Sequence, residues 1–547
     1  MKRIIAFTLL CLILLIPVHA QPKKVADFKV SPFFEGRLTA ADLKNKLRST
    51  KAPAVVCTSY AELVALITEQ GKLRNESFTA QLSFNFQFDD LQTLIPQAIY
   101  DATTSDDYLL FSVKGRYFEG EGVDNNATIN FQLAYFTTLA QEQYVTMRIA
   151  AILSTIITDD MTDLQKEKAV HDWIIQNVQY EEKTGEDYQY YSAYDGLYRK
   201  MTVCNGYALL MYRMINALGM KVRIVAGYGA GVLHAWNLVY LCGNWYHTDA
   251  TWDDPNTDTN LVNYDFFNLS DAEITSLDHT IGANPDFYPD VPDAPVTFNG
   301  TACSAYTRPG TPPLAPVLSS PASGSTDISL LPSLAAQAFS DVEGNGTHWK
   351  SLWQISLDAA FTQCIYYDTS LENLTAFDIP AQDSLPDNKT LYWRVRYFDT
   401  DLNPSGWSNV FSFTTVEQST VPLAPVPLNP ADGITISVKP RLITDAFADQ
   451  DRWDTHASTQ WQLSTASDFS ELYLDHVSDT DLLTLAFTNR NLLPELTTFY
   501  WRVRHMDNDG VYSPWSETRS FTTKKVPDGS DGTTDDSGCF IGSSMWQ

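Results

Sequence analysis

Three short segments carry side chains suited to nucleophilic chemistry: Thr202-Val203-Cys204-Asn205-Gly206-Tyr207-Ala208, His234-Ala235-Trp236-Asn237, and His247-Thr248-Asp249-Ala250-Thr251-Trp252-Asp253-Asp254-Pro255. A thiol attacks a carbonyl as its thiolate, an imidazole can take the thiol proton, and a carboxylate can fix the tautomer of that imidazole. Cys204 is thus the candidate nucleophile, His234 the candidate base and Asp249 the candidate orienting acid. Singly, each has a plainer reading. Cysteine is commonly a small buried hydrophobe, histidine an occasional core hydrogen-bonder, and Asp249 can simply begin the turn toward Pro255. The assignment rests on the three occurring together in this order.

These residues need elements to position them. A helix is expected to begin near Cys204 and stop at Gly219, with Leu210, Met214, Ile215 and Leu218 on its buried face. A cysteine at a helix N-terminus meets unpaired N–H groups and the positive end of the dipole, which favour the thiolate. Three strands follow, Lys221 to Tyr228, Leu233 to Leu241 and Asn244 to Thr251, the last two joined by the tight turn Cys242-Gly243. Pairing Leu241 with Asn244 sets His234 opposite Thr251 and Asp249 on the diagonal of the same face, about 7–8 Å away at the backbone. Upstream, the capping box Thr162-Asp163-Leu164-Gln165 opens a helix carrying Val170, Trp173, Ile174 and Val178. Trp236 and Trp252 read as packing around the site, His247 as structural and Cys242 as an inert turn residue.

In order, spacing and flanking residues, the three segments resemble the core of the transglutaminase-like superfamily. The resemblance covers about 160 to 260, with the helix containing His171-Asp172-Trp173 as support. It implies a papain-like fold and transfers the family's cysteine, histidine and aspartate to Cys204, His234 and Asp249. It further implies attack on a carboxamide or peptide carbonyl, an oxyanion held partly by the Cys204 N–H, a thioester, and release to water or an amine. A second, side-chain oxyanion donor is expected in such a fold; Tyr191 and Tyr194 are the candidates.

The chain has 547 residues, 37 Lys+Arg against 66 Asp+Glu, and 44% hydrophobic residues. It is too long for one core and too apolar for a disordered chain. A net charge of −29 argues against nucleic acid or anionic membrane surfaces as primary partners. Residues 1–20 read as a signal peptide: Lys2-Arg3, an apolar run from Ile4 to Pro17 too brief for a membrane span, then Val18-His19-Ala20. Loss of Lys2 and Arg3 takes the charge to −31. A secreted, periplasmic or cell-surface protein with no later membrane-spanning segment is expected. Cys57, Cys204, Cys242, Cys303, Cys364 and Cys539 are scattered without metal spacing. Neither a disulfide scaffold nor a metal site or other cofactor is expected.

Residues 21–155 read as a small α/β accessory domain. Tyr60 to Gln70 is its helix, with Leu63, Leu66 and Ile67, and Thr79 to Phe88 is a strand with Ala80, Leu82, Phe84, Phe86 and Phe88 on one face. Residues 156–305 form the expected catalytic domain. From Pro313 the sequence repeats itself at an offset of 108 or 109 residues. Pro313-Leu314-Ala315-Pro316-Val317 recurs at Pro422, Tyr392-Trp393-Arg394-Val395-Arg396 at Tyr500, Trp407-Ser408 at Trp515 and Phe413-Thr414-Thr415 at Phe521. Units of this size with alternating strands and Pro/Asp/Gly turns suit β-sandwiches, at 310–416 and 419–524. They resemble fibronectin type III modules of bacterial secreted proteins. Asp399 to Asp401 and Asp507 to Asp509 fall where hairpin turns are expected, and turn chemistry is preferred there to calcium binding. Residues 525–547 are a flexible acidic tail whose Cys539-Phe540-Ile541 resembles the tails of some bacterial surface proteins.

The expected architecture is multidomain α+β and all-β: a small α/β domain, a papain-like transglutaminase core and two tandem sandwiches. The expected function is an exported thiol enzyme acting on amide bonds of proteins, peptides or cell-wall peptides, hydrolysis being favoured over amine transfer. The alternative is a surface adhesion or binding protein whose repeats engage extracellular partners.

Overall fold

The Cys242-Gly243 turn has φ +53° and +87°, the mirror-image geometry that lets a two-residue loop follow the strand twist. It joins strands β2 (Val232–Leu241) and β3 (Asn244–Thr248), and Asn244 pairs with Leu241 as the sequence predicts. With β1 (Val222–Gly229) and β4 (His279–Ile281) they form an antiparallel sheet in the order β3-β2-β1-β4. This computed structural model describes residues 22–525, except 32–37, 50–52, 105, 182–189, 256–260, 283–289, 343–346, 419, 450, 452 and 489–490. The expected signal peptide, Cys539 and nearly all of the expected tail lie outside the described residues.

Three helices back the sheet. The first, α1 (Leu139–Ile156), and the second, α2 (Asp163–Asn177), each open on a complete capping box, Thr138 with Gln141 and Thr162 with Gln165. The third, α3 (Cys204–Ala217), ends with Gly219 at φ +82°, a left-handed stop that favours glycine. Val145, Ile149 and Leu153 of α1, Val170 and Ile174 of α2, and Leu210, Met214 and Ile215 of α3 share one buried core with Ile224, Val239 and Leu241 of the sheet.

Residues before α1 build a five-stranded sheet in the order Lys23–Val30, Val113–Val123, Asn126–Tyr135, Ser77–Leu82, Ala54–Cys57, covered by helices Tyr60–Lys72 and Leu91–Thr104. Leu63, Leu66 and Ile67 are buried on the first of these helices. The strand expected over Thr79 to Phe88 stops at Leu82, and the chain turns into a short helical turn at Phe88–Asp90, although Phe86 and Phe88 stay buried. Aromatic alternation here reports burial rather than continuous strand.

The chain divides into two compact units, Met1–Leu385 with Lys389–Thr415, and Pro386–Asn388 with Val416–Gln547. The first unit includes the first sandwich, a three-stranded sheet (Leu318–Ser320, Ser333–Ala336, Ala376–Asp378) facing a five-stranded one in the order Ser325–Ile328, Phe411–Thr415, Thr390–Asp399, His348–Ser356, Cys364–Ser370. Its Leu352, Phe361, Tyr367 and Phe398 join the core shared by α1–α3. Phe398 lies where a Cβ on Gly219 would be, 2.4 Å away. Thr369 Oγ1 donates to the Asn216 carbonyl and Lys350 Nζ to Asn216 Oδ1. The sandwich therefore braces the C-terminal end of α3, the end opposite Cys204.

The second unit repeats the strand orders of the first sandwich with Pro427–Asn429, Arg441–Thr444 and Thr484–Ala486 in one sheet and five strands in the other. The repeated motifs are the sandwich's own framework. Arg394 donates to Gln354 and stacks on Trp407 at 4.0 Å; Arg502 donates to Gln462 and stacks on Trp515 at 4.4 Å. In both, the serine after that tryptophan accepts the N–H of the valine between the arginines, at 3.1 Å. Mixed α and β structure with two sandwiches is the fold class the sequence predicts. One expectation is corrected: Cys242 and Cys303 form a disulfide across a separation of 61 residues. A pair so far apart in sequence carries no spacing signature.

Candidate active site

Cys204 is the first residue of α3, and Val203 at the cap offers no side-chain acceptor. The Cys204 N–H thus has no partner within the helix. The tight start depends on Gly206, where a Cβ would fall 1.9 Å from Thr202 Oγ1. Thr202 is itself fixed, donating to the Tyr190 carbonyl at 2.7 Å, and Asn205 Nδ2 donates to the Tyr191 carbonyl at 2.7 Å. These bonds tie the chain before the helix to its first turn.

His234 stands on β2, paired with Gly227 of β1. Its Nε2 donates to Asp249 Oδ2 at 2.6 Å, and its ring lies within electrostatic reach of the Cys204 side chain. With Nε2 committed, Nδ1 is the nitrogen left to face the thiol. All three residues are buried: Cys204 is 6% exposed, His234 5% and Asp249 0%. The structure thus brings together the three residues singled out from sequence.

The route to Asp249 differs from the expectation. Strand β3 ends at Thr248, so Thr251 does not pair with His234; Asp249 begins a turn closed by Asp253 N on the Asp249 carbonyl at 3.1 Å. Asp249 Oδ1 accepts from Thr251 N at 2.9 Å and Trp252 N at 3.3 Å. Its Oδ2 accepts from His234 and from His279 Nε2, the latter at 3.0 Å. Four donors occupy the four acceptor positions of an ionised carboxylate.

The electrostatics follow. Burial opposes a charge on His234, but the Asp249 carboxylate and the Cys204 side chain outweigh it and push the imidazole up to about 10. Burial likewise opposes the Asp249 charge, and His234 and His279 reverse it, holding the carboxyl well below its usual range. His234, Asp249 and His279 have ligand atoms within 4.8 Å of one another. Two ligands of a tetrahedral metal stand about 3.4 Å apart at the usual bond lengths. The 2.6 and 3.0 Å contacts are therefore hydrogen bonds of an imidazole–carboxylate–imidazole cluster.

Aromatic rings enclose the cluster. Trp236 stacks on His234 at 5.8 Å, and Trp252 meets His234 at 5.6 Å and His279 at 4.4 Å. Gly229 leaves the room, since a Cβ there would be 2.8 Å from Trp252. His247 takes the Trp236 Nε1–H on Nδ1 and contacts Asp271 through Nε2, in keeping with a structural part. Behind it, Thr248 and Asn268 donate to the fully buried Glu167, whose carboxyl burial pushes up to about 7. His171, in the expected support helix, contacts Asp253 at 3.1 Å.

Tyr194 is turned elsewhere, its ring against Tyr198 and Tyr144, and the Tyr191 ring stacks on Phe136. Tyr180 instead lies within electrostatic reach of Cys204 and Asp249. Burial raises its phenol to about 12, with Cys204, Tyr191 and Asp249 adding to the effect. Neither Tyr180 nor His279 is signalled by the sequence. A lone tyrosine after the support helix and a histidine on a three-residue strand form no motif.

Residues 150–250 match the family described as Transglutaminase-like superfamily. Kyphoscoliosis peptidase of Mus musculus is 29% identical over 153 residues and that of Homo sapiens 30%, in each case over 25% of this chain and 23% of the relative. The chain therefore spans about a quarter of the length of these curated relatives. Among solved structures, a TGase crystal structure aligns at TM-score 0.19 and 14% identity, covering 42% of this chain and 64% of that one. Fibronectin(III)-like modules of Clostridium thermocellum CbhA align at TM-score 0.17 and 10% identity, covering 40% and 100%. The segment similar to the transglutaminase-like superfamily, 150–250, is the one that holds Cys204, His234 and Asp249.

Proposed function

We propose that the protein is an exported thiol enzyme that cleaves amide bonds of proteins or peptides, cell-wall peptides included, through a thioester on Cys204. One observation carries this reading: His234 holds the Asp249 carboxylate at 2.6 Å, and Cys204 at the start of α3 interacts with the same buried ring. The thiolate adds to the carbonyl carbon, and the oxyanion is met by the Cys204 N–H and by the Tyr180 hydroxyl. His234 gives its proton to the departing ammonia or amine as the C–N bond breaks, leaving the thioester. It then takes a proton from water, whose oxygen adds to the thioester carbon; the C–S bond breaks, releasing the acid and restoring the Cys204 thiolate beside the charged imidazole. Asp249 keeps the imidazole oriented and stabilises its charged form throughout. An amine in place of water gives transfer by the same steps.

The Cys242–Cys303 disulfide supports export, since such bonds persist in oxidising compartments. No helix among the described residues is long and apolar enough to cross a membrane. The test is incubation with glutamine-containing peptides, with and without a labelled primary amine, read by mass spectrometry. Cys204-dependent hydrolysis as the main product is expected; amine incorporation dominating over hydrolysis overturns the hydrolytic assignment.

A further inference from the structure

The two sandwiches differ at one end in a way that their shared framework does not require. In the first, Asp399 Oδ1 accepts the Asn403 N–H at 2.8 Å and Oδ2 accepts Asn403 Nδ2 at 2.9 Å, so turn bonds take up both oxygens. In the second, the equivalent Asp507 Oδ1 accepts from Asp509 N at 2.9 Å and Val511 N at 2.8 Å. Valine stands where the first sandwich has Asn403, and Asp507 Oδ2 is buried with no hydrogen-bond partner, in a residue 1% exposed. Turn chemistry explains Asp399 fully and Asp507 by half.

Two more carboxylates converge there. Asp449, Asp454 and Asp507 each have an oxygen within 4.8 Å of the others. Asp449 Oδ2 is also buried and unpartnered, while its Oδ1 accepts from Thr420 Oγ1 at 2.6 Å and Asp451 N at 2.9 Å. The sequence equivalent of Asp454 in the first sandwich is Gly346, so the third acid belongs to the second repeat alone. Unpaired buried carboxylate oxygens are costly, and a set of oxygens this size fits a hard cation with 2.3–2.6 Å bonds. We propose that Asp449, Asp454 and Asp507 bind one calcium ion at this end of the second sandwich. The electrostatics agree: burial, then the charges of Asp451, Asp449, Asp507 and Asp509, raise the Asp454 carboxyl to about 6, a crowding that a divalent cation relieves. An all-oxygen donor set suits calcium or magnesium rather than zinc or copper.

The site is independent of Cys204 and is tested by binding. Calcium is titrated calorimetrically into the full-length chain after chelation, with Asp454→Asn and Val511→Asn beside it. Val511→Asn rebuilds the bond that Asn403 makes in the first sandwich and should fill Asp507 Oδ2. The expected result is saturable binding at or below about 1 mM, the range of extracellular modules, weakened at least tenfold in both variants. Each variant should retain the parent's circular dichroism in chelator. Absence of saturable binding in the parent, or affinity within twofold of the parent in both variants, overturns the site.

Discussion

His279 donates to Asp249 Oδ2 at 3.0 Å, on the same oxygen that takes the His234 bond. The orienting carboxylate is thus held from two strands, β2 and β4, and by two backbone N–H groups of its own turn. His279 acts through Asp249 and is a positioning residue in the proposed reaction. Removing it should slow alkylation of Cys204 by a neutral reagent about tenfold, the worth of one charge-assisted hydrogen bond. It should also raise the pH at which the rate is lost on the acid side, because Asp249 loses a group that holds its carboxyl low. A uniform fall in rate with an unmoved acid limb would make His279 merely structural.

Glu167 gives a stability prediction with a definite sign. Its carboxyl is pushed up to about 7 by burial, against 4.5 for an ordinary glutamate. The folded chain therefore binds more protons than the unfolded one between those values, and stability falls as pH rises through them, by about 3 kcal/mol in all. His234, raised from 6.5 to about 10, adds a further loss over that higher interval. Comparing Glu167→Gln with the parent isolates the first term. Thermal melts at pH 5 and pH 8 should show a smaller difference in the variant.

The disulfide should matter to stability rather than to chemistry. Closing a separation of 61 residues constrains the unfolded chain by about 4 kcal/mol in the loop-entropy account. Cys303→Ser should lower the melting temperature of the first unit in non-reducing buffer while leaving the rate of Cys204 alkylation within about twofold of the parent. Equal loss of both would tie the hairpin to the site.

Gly206→Ala puts a methyl group 1.9 Å from Thr202 Oγ1. The first turn of α3 must shift, at about 1–3 kcal/mol, and Cys204 moves with it. Loss of thiol reactivity larger than the loss of melting temperature implies, measured together, is the expected outcome.

Much of the site was legible because it is local. The turn Cys242-Gly243 set the register from Asn244–Leu241 to Thr248–Asn237, and helix signals placed Cys204 at the start of α3 and Gly219 at its end. Asp249 reaches His234 from a turn rather than from the expected strand, because alternation continues through Ala250 and Thr251 although the chain has begun to turn. His279 was not legible. Nothing nearby in sequence says that a three-residue strand will add to the free edge of β1. The Cys242–Cys303 pair, 61 residues apart, and the cluster that spans Asp449 to Asp507 are likewise long-range and made only by folding. Repeat similarity pointed to turn chemistry at Asp507, and the single difference between Asn403 and Val511 was what the similarity concealed.

In the proposed reaction His234 activates Cys204. The direct measurement is the rate at which a neutral thiol-reactive probe labels Cys204 at pH 7, site-resolved by peptide mass spectrometry, in the parent and in His234→Ala of matched circular dichroism. Fast labelling of Cys204 is expected in the parent, well ahead of the buried Cys57 and Cys364, with a fall of about a hundredfold or more in the variant. Equal labelling rates in the two proteins would contradict it.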